Sequence, residues 1–467
     1  MNVSDSERIA SFLERHGFSP AKKIGEADLV VFNTCGIRQA AENKAYGIIN
    51  NLKKQTTRNK KQIKIIMTGC LANRKDVQRR MKNSVNLFFP ISNFGKFENW
   101  IIENCLGIGN WKLVIPAQES NKKSVPYLST NPKYSNSYQA LVPVMTGCNN
   151  FCSYCVVPYA RGREVSRPAD EIVSEIRNLI KKGYKHIVLL GQNINSYTTT
   201  SPINSKIKSS KIDSKFEIRN SKFNFSDLLR KINVIPGNFW ISFVSSHPKD
   251  FSDELIKTIA KCKKVCEWIH LPIQAGNDKI LEKMNRQYTQ AYYLKLVKKI
   301  KKEFTEIRGK STLISISSDI IVGFPGETKK QFTDSAKVME KSKFDMVYFG
   351  QFSPRPGTVA WNMKDNVPKK EKARREKLLN EILKKTSFEN NKRYVGKIVE
   401  VLVEKISEKK GVELPFGSST PKETYFGKTR TMKNVKIISA KKSLLGKIIK
   451  VKVIKANVWN LEGVINE

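Results

Sequence analysis

Apolar residues fall into two rhythms that alternate along most of this chain. In "SERIASFLERHGF" (residues 6–18) they recur three and four positions apart, the spacing of a helix with one buried face. "ADLVVFNTC" (27–35) is instead a short continuous apolar run, as in a strand buried on both sides. "IRQAAENKAYGIINNLKK" (37–54) returns to the helical period, "QIKIIMTGC" (62–70) is a second strand, and "RKDVQRRM" (74–81) a further helix. Both strands run into a cysteine, Cys35 and Cys70, on the loop that follows. Loops at the carboxyl ends of parallel strands build the sites of α/β sheets.

A second α/β series starts near Ser137. It runs through "YQALVPVMTGC", "ADEIVSEIRNLIKKGY", "HIVLLGQN", "FWISFVSSHP", "DELIKTIAKC", "WIHLPIQAG", "ISSDIIVGFPGET" and "DMVYFGQFSPRPGT". Strand and helix alternate, which predicts a parallel sheet curved into a full or partial barrel. A basic helix, "KKEKARREKLLNEILKKTSFENNKR" (369–393), follows. Short strands after it ("KIVEVLVEK", "TYFGKTR", "VKIIS", "KIIKVKVIKANVWNLEGVI") predict a small β-barrel. The expected fold is therefore α/β and multidomain. Its parts are an N-terminal domain over 1–107, a linker over 108–133, a central barrel domain over 134–392 and a terminal β-barrel over 393–467. The Ser/Lys-rich stretch 198–224 reads as a surface insertion in the central domain.

With 467 residues, 40 % of them apolar, the chain can bury several cores. It contains no apolar run of about 18 residues, so no membrane-spanning helix is expected. Its first residues lack the apolar core of a signal peptide, so a cytoplasmic protein with reduced thiols is expected. The formal net charge is +42, from 84 Lys and Arg against 42 Asp and Glu, which suits a polyanionic partner such as a nucleic acid. The excess is spread along the chain, as in "NNLKKQTTRNKKQIKII", so charge alone does not locate a binding face.

The densest chemistry lies in "TGCNNFCSYCVVPYARGREVSR" (146–167), where Cys148, Cys152 and Cys155 follow a strand. Three thiolates can hold three corners of a [4Fe–4S] cube and leave one iron open. Structural zinc is the alternative, but it wants a fourth Cys or His nearby, and the next histidine downstream is His186. Arg161, Arg163 and Arg167 are open between anion contacts and solvated surface. Cys262 and Cys266, four apart, would share one helix face but have no third ligand near in sequence, and Cys105 stands at a helix end; all three read as structural. His247 and His270 are expected to make structural hydrogen bonds.

The motif Cys-x3-Cys-x-aromatic-Cys at the end of the first barrel strand resembles the radical S-adenosylmethionine (SAM) enzymes. With "NTCGIR", "LLGQNINSY", "SSHP", "HLPIQAGND", "DIIVGFPGET" and "FSPRPGT", the chain resembles the radical SAM methylthiotransferases over essentially its whole length, apart from 198–224. The "GQN" and "SHP" variants resemble the tRNA branch that acts on dimethylallyl-modified adenosine; the alternatives are the threonylcarbamoyladenosine branch and a degenerate tRNA-binding protein that cleaves SAM but inserts no sulfur. The resemblance implies an incomplete flavodoxin-like N-terminal sheet, a radical-SAM partial β/α barrel and a C-terminal TRAM barrel that grips the tRNA anticodon stem–loop. It implies addition of a methylthio group to carbon 2 of adenosine 37. SAM would chelate the open iron and be cleaved to a 5′-deoxyadenosyl radical, and would also donate the methyl group. By the same resemblance Tyr154 lies against adenine, Gly191, Gln192 and Asn193 near the methionyl part and Ser245 and Ser246 near the ribose. Gln274, Gly326 and Glu327 are further candidates for the cofactor site. A flavodoxin or ferredoxin would supply electrons to a monomeric enzyme. No acid or base catalyst is expected.

Family members open with a strand ending in "GCQMN", whose cysteine is one of three holding a second [4Fe–4S] cluster. Here "MNVSDSERIASFLERHGF" aligns just after it, and Cys35 and Cys70 are the two that match. The expectation is that the first strand and its cysteine lie upstream of this sequence, or that the gene is a fragment. Otherwise the second cluster has two thiolates and a non-cysteine ligand, or is absent.

Overall fold

The computed structural model describes residues 1–36, 39–59, 62–105, 126–199, 222–407 and 423–466. In chain order the N-terminal elements are α1 (Asn2–Arg15), β1 (Leu29–Thr34), α2 (Gln39–Asn59), β2 (Lys64–Gly69), α3 (Lys75–Met81), β3 (Leu87–Phe88), α4 (Phe94–Cys105) and α5 (Pro126–Ser129). Next come β4 (Gln139–Pro143), β5 (Met145–Thr146), α6 (Val157–Arg161), β6 (Val165–Ser166), α7 (Ala169–Lys181), β7 (His186–Leu190), β8 (Thr198–Thr199), β9 (Phe223–Asn224), α8 (Phe225–Asn233), β10 (Trp240–Phe243) and α9 (Asp253–Lys261). They are followed by β11 (Trp268–His270), α10 (Asp278–Lys283), α11 (Gln290–Arg308), β12 (Ser315–Val322), α12 (Lys329–Ser342), β13 (Met346–Gln351) and α13 (Lys369–Lys392). The chain closes with β14 (Ile398–Ile406), β15 (Glu423–Thr429), β16 (Asn434–Ser439), β17 (Ile448–Ala456) and β18 (Asn460–Ile465). The expected insertion falls mainly on residues 200–221, and the expected linker mainly on 108–125, both outside the described residues.

The chain forms two compact units. The first comprises Met1–Ser135, Pro143–Arg167 and Ser353–Lys364; the second comprises Asn136–Val142, Pro168–Phe352 and Asp365–Glu467.

In the first unit β1, β2 and β3 form a parallel sheet with β2 in the middle, Leu29 opposite Lys64 and Ile66 opposite Leu87. The apolar run of β2 serves both faces, because successive side chains point to opposite sides. Ile66 packs with Ile9, Phe12, Phe89 and Phe97. Ile65 and Met67 pack with Tyr46, Ile49 and Val77. Tyr127 and Leu128, inside the segment expected as a linker, are buried in the first of these cores.

In the second unit the strands stand in sequence order, in two sheets ordered β4-β7-β10 and β11-β12-β13. Trp240 opposes His186, Trp268 opposes Ser315 and Ser317 opposes Met346, all in parallel register. An isolated parallel bridge pairs Ile241 of β10 with Val265, in the segment just before β11. Four of the helices between strands, α8, α9, α11 and α12, start on side-chain caps. Asn224 and Asp227 form a capping box on α8, Thr328 and Gln331 one on α12, and Ser252 and Thr289 cap α9 and α11. The terminal strands close into a barrel ordered β14-β15-β16-β18-β17 around Val401, Tyr425, Ile437, Val451 and Leu461. The small closed barrel expected at the C-terminus is thus present.

Candidate active site

Two short strands hold the cysteine loop in the first unit. Met145 of β5 pairs with Ser166 of β6, so residues 147–164 leave and return at one place. The amide of Cys148 donates to the Gly162 carbonyl at 3.2 Å, and that of Cys155 to the Cys152 carbonyl at 2.9 Å. Gly147 has φ +80°, and a Cβ there would lie 2.0 Å from the Arg163 carbonyl oxygen, so only glycine fits. Phe151 also has a left-handed backbone, φ 44°, an uncommon state for a side-chain-bearing residue. Tyr154 is half-buried between the second and third cysteines.

Burial pushes the Cys148 thiol up to about 11 and the Cys155 thiol up to about 12. Cys152 acts on both, and Cys148 and Cys70 add to the effect on Cys155, so these sulfurs are near neighbours. Such thiols hold their protons until a metal charge displaces them.

Cys35 and Cys70 follow β1 and β2. The Cys70 amide donates to the Thr34 carbonyl at 3.0 Å, which brings the two loops together. Gly36 sits so close that an added Cβ would be 2.9 Å from Cys70 Cβ. Cys70 packs with Val156 and Ala160, at the end of the cysteine loop and on α6. Burial raises the Cys70 thiol, and the neighbouring Cys35 adds to this. The five cysteines therefore gather on one side of the first unit. Among the described residues no three His, Cys, Asp or Glu side chains converge as ligands of a single ion. A cube asks for something else: its thiolates bind separate irons and stand farther apart. Three adjacent, desolvated thiols on a fixed loop fit that demand.

The arginines after the triplet are engaged within the unit. Arg161 is 5 % exposed and pairs with Asp5 at 2.5 Å, and Arg167 donates to the Pro143 carbonyl at 2.8 Å. Arg163 lies over the Phe151 ring at 4.3 Å. Neither Arg161 nor Arg167 is solvated surface.

In the second unit the candidates stand on the loops after the parallel strands: Gly191–Asn193 after β7, Ser245 and Ser246 after β10, Gln274 after β11, and Gly326 and Glu327 after β12. Ser245 and Gln274 both adopt φ near +70° (69° and 72°), a strained state that gathers at functional sites. The Ile194 amide donates to the Ser245 carbonyl at 3.1 Å, and Asn195 and the His247 backbone bond each other twice, at 2.8 and 2.9 Å. Gln192 Oε1, Asn193 Oδ1 and Ser246 Oγ are buried without a hydrogen-bond partner in the protein. Orphaned polar atoms of this kind mark a place where a ligand supplies the missing bonds. Glu327 is engaged otherwise: its carboxylate accepts from the Gly323 amide and from Arg375 of α13, both at 2.8 Å. Burial raises its pKa against those two contacts.

The remaining cysteines lie elsewhere. Cys105 ends α4. Cys262 and Cys266 do not share a helix face as their spacing suggested. Cys262 caps α9 in an extended conformation, and the Cys266 amide donates to Ile241 alongside β10. Cys266 packs against Trp240 and Leu402. His270 Nδ1 is 3.0 Å from Ser317 Oγ, and His247 accepts from the Lys249 amide at 3.3 Å, both structural contacts.

Sequence reasoning missed two features of the first unit. One is a buried charge network: Glu42 bonds Arg74 at 2.8 Å and Tyr46 at 2.7 Å and lies 3.7 Å from Arg355. The other is a cavity of about 520 Å³ beside Cys70. Their residues come from distant stretches, so no local pattern signals them.

Residues 142–339 match the radical SAM superfamily, and residues 1–89 match a family described only as the uncharacterized protein family UPF0004. The chain is a radical SAM enzyme, with a [4Fe–4S] cluster and SAM as its cofactors. It is 38 % identical to the tRNA-2-methylthio-N(6)-dimethylallyladenosine synthase of Thermoanaerobacter pseudethanolicus, over 99 % of this chain and 90 % of the relative. The same enzyme of Clostridium botulinum is 38 % identical over 99 % and 94 %, and that of Clostridioides difficile 37 % over 100 % and 89 %. The chain belongs to the tRNA-2-methylthio-N(6)-dimethylallyladenosine synthase family, a group of transferases that modify tRNA. Among solved structures, a radical SAM methyltransferase from Kitasatospora setae is a distant likeness, with a TM-score of 0.48 and 14 % identity over 86 % of this chain and 71 % of that one.

Proposed function

We propose that this chain adds a methylthio group to carbon 2 of a dimethylallyl-modified adenosine at tRNA position 37. The likeness to the synthases over 99 % of the chain carries this reading. The three neighbouring thiols of Cys148, Cys152 and Cys155 support it, as residues that would hold three irons of one cluster. That cluster, when bound, supplies the electron that cleaves SAM. The C–H bond at carbon 2 is unactivated, so a radical and not an acid or base is what the reaction requires. Cys35 and Cys70 would be ligands of a second [4Fe–4S] cluster linked to the sulfur. Gln192, Asn193 and Ser246 would bond SAM through the atoms now without partners, beside Gly191, Ser245 and Gln274. Tyr154 would lie against adenine, and Glu327 would act by shaping the turn at Gly326.

The N-terminal sheet reads as flavodoxin-like and the terminal barrel as a TRAM module on the tRNA anticodon stem–loop. We read it as a cytoplasmic, monomeric enzyme; separately, among the described residues no helix is long and apolar enough to cross a membrane. A flavodoxin or ferredoxin would reduce it. Nucleoside mass spectrometry of dimethylallyl-modified tRNA, after anaerobic incubation with the reconstituted protein, SAM and reductant, tests the reading. A methylthio adduct on that nucleoside is expected; SAM cleavage without any adduct would count against it.

A further inference from the structure

The cavity of about 520 Å³ in the first unit lies within the range of small-molecule sites, about 300–1,000 Å³. Cys70 stands in one wall. Val156, Ala160 and Pro356 give it hydrocarbon, and Tyr159 and Trp361 give it two aromatic rings. These rings are unusually open, at 49 % and 48 % exposure, for side chains that commonly bury most of their area.

Both rings are held from the backbone. Tyr159 is on α6, directly after the cysteine loop. Trp361 follows a turn in which its own amide donates to the Thr358 carbonyl at 3.1 Å and the Ala360 amide donates to the Ser153 carbonyl at 2.8 Å. Ser153 lies between Cys152 and Tyr154, so the turn carrying Trp361 is tied to the cysteine loop itself. Arg355, 5 % exposed, anchors the start of that turn through Gln39 at 2.9 Å. At the rim, Arg74 is committed to Glu42 and to both oxygens of Asp76. Lys75 and Arg79 stand beside it on α3.

We propose that this cavity receives the N6-alkyl group and adjoining purine edge of the substrate nucleoside, with Trp361 and Tyr159 as the residues that tell dimethylallyladenosine from adenosine. The inference rests on the function proposed above. On adenine, carbon 2 and the carbon bearing N6 flank the same ring nitrogen. A wall that grips the N6 substituent therefore holds carbon 2 within one ring's width, on the side where Cys70 stands. Apolar and aromatic walls suit a branched alkyl group, and an aromatic face stacks on a base that has left its helix. The basic rim suits the flanking phosphates.

The test measures binding of the full-length protein to two labelled anticodon stem–loop RNAs that differ only in the dimethylallyl group, by fluorescence anisotropy. The wild type is expected to prefer the alkylated RNA by about tenfold or more, the discrimination an added hydrocarbon group brings in an apolar pocket. Trp361→Ala should reduce the preference to less than about threefold, chiefly by weakening the alkylated RNA, while Trp361→Phe retains most of it. Arg79→Ala should weaken both RNAs alike and lower the salt dependence by about one unit of slope. A wild type that binds both RNAs equally overturns the proposal. So does a Trp361→Ala variant that keeps its preference or loses both RNAs in proportion. Binding of neither RNA would overturn the function reading itself.

Discussion

Cysteine is buried in two places in this protein, to opposite ends. Burial pushes Cys155 on the loop of the first unit up to about 12, and Cys266 in the core of the second unit up to about 12 as well. Each group also borders an ion pair: Cys70, beside Cys155, is near Asp5 and Arg161 in the first unit, and Cys266 is near Glu267, Arg308 and Arg430 in the second. Desolvation and nearby charge are thus alike. The backbone and the company differ. Cys155 sits on a loop bent through left-handed residues at 147 and 151, among the thiols of Cys148, Cys152 and Cys70. Cys266 sits in an extended segment against Trp240 and Leu402. A perturbed thiol identifies burial; only convergence of several thiols on one loop identifies a cluster site.

The sharpest break in that comparison is chemical. Changing Cys148, Cys152 and Cys155 together to Ala is expected to abolish iron binding and SAM cleavage, measured by iron content and 5′-deoxyadenosine release. Cys262→Ala and Cys266→Ala should leave iron content per folded chain unchanged. If the loop variant still cleaves SAM, the contrast fails.

The two ion pairs predict the next largest effect. Asp5 is fully buried against Arg161, so Asp5→Asn leaves a buried guanidinium without its counter-charge and should cost about 3–5 kcal/mol. Arg308 and Arg430 also donate to backbone carbonyls, including Val265, so Glu267→Gln should cost less, about 1–2 kcal/mol. Chemical denaturation curves of the two variants check the order. A third effect comes from Cys266 itself. Cys266→Ser places a hydroxyl in an apolar contact and is expected to lose about 1–3 kcal/mol in the same assay.

The smallest effect is one of pH, in the core next to Cys266. His186 contacts Trp240 edge to face, and burial, with Lys428 and Arg430 adding, lowers its pKa to about 3. It accepts from Gln139 at 2.9 Å and lies 2.8 Å from Ser242 Oγ. The unfolded chain takes up the proton near 6.5 while the folded protein refuses it until about 3, so stability falls as pH drops through that window. This group should lose about 1 kcal/mol between pH 6.5 and 5.5, and His186→Gln should flatten that slope. A wild-type stability that is level across this interval would contradict the buried neutral imidazole.

Local rules carried much of the architecture. The alternating strands and helices, the capped helix starts and the small terminal barrel follow from periodicity and turn chemistry, both properties of neighbouring residues. The cysteine triplet could be singled out for the same reason, since its three thiols lie within eight consecutive positions, Cys148–Cys155. Cys262 and Cys266 show the limit. Their spacing of four implied a shared helix face, but α9 stops at Lys261 and the chain turns to run beside β10. Arg161 and Arg167, open on paper between surface and anion site, became internal once Asp5 and Pro143 were brought to them.

What the sequence alone determined was the order of elements and the clustering of Cys148, Cys152 and Cys155 on one loop, because both depend on side chains a few residues apart. Tertiary structure decided which groups are left wanting a partner. Gln192, Asn193 and Ser246 acquire buried, unpaired oxygens only when the loops after β7 and β10 are packed. Trp361 comes to the cavity beside Cys70 only because the turn at 358–361 bonds back to Ser153. Burial and pairing are properties of the packed chain, fixed by contacts between residues tens to hundreds of positions apart, and no local pattern records them.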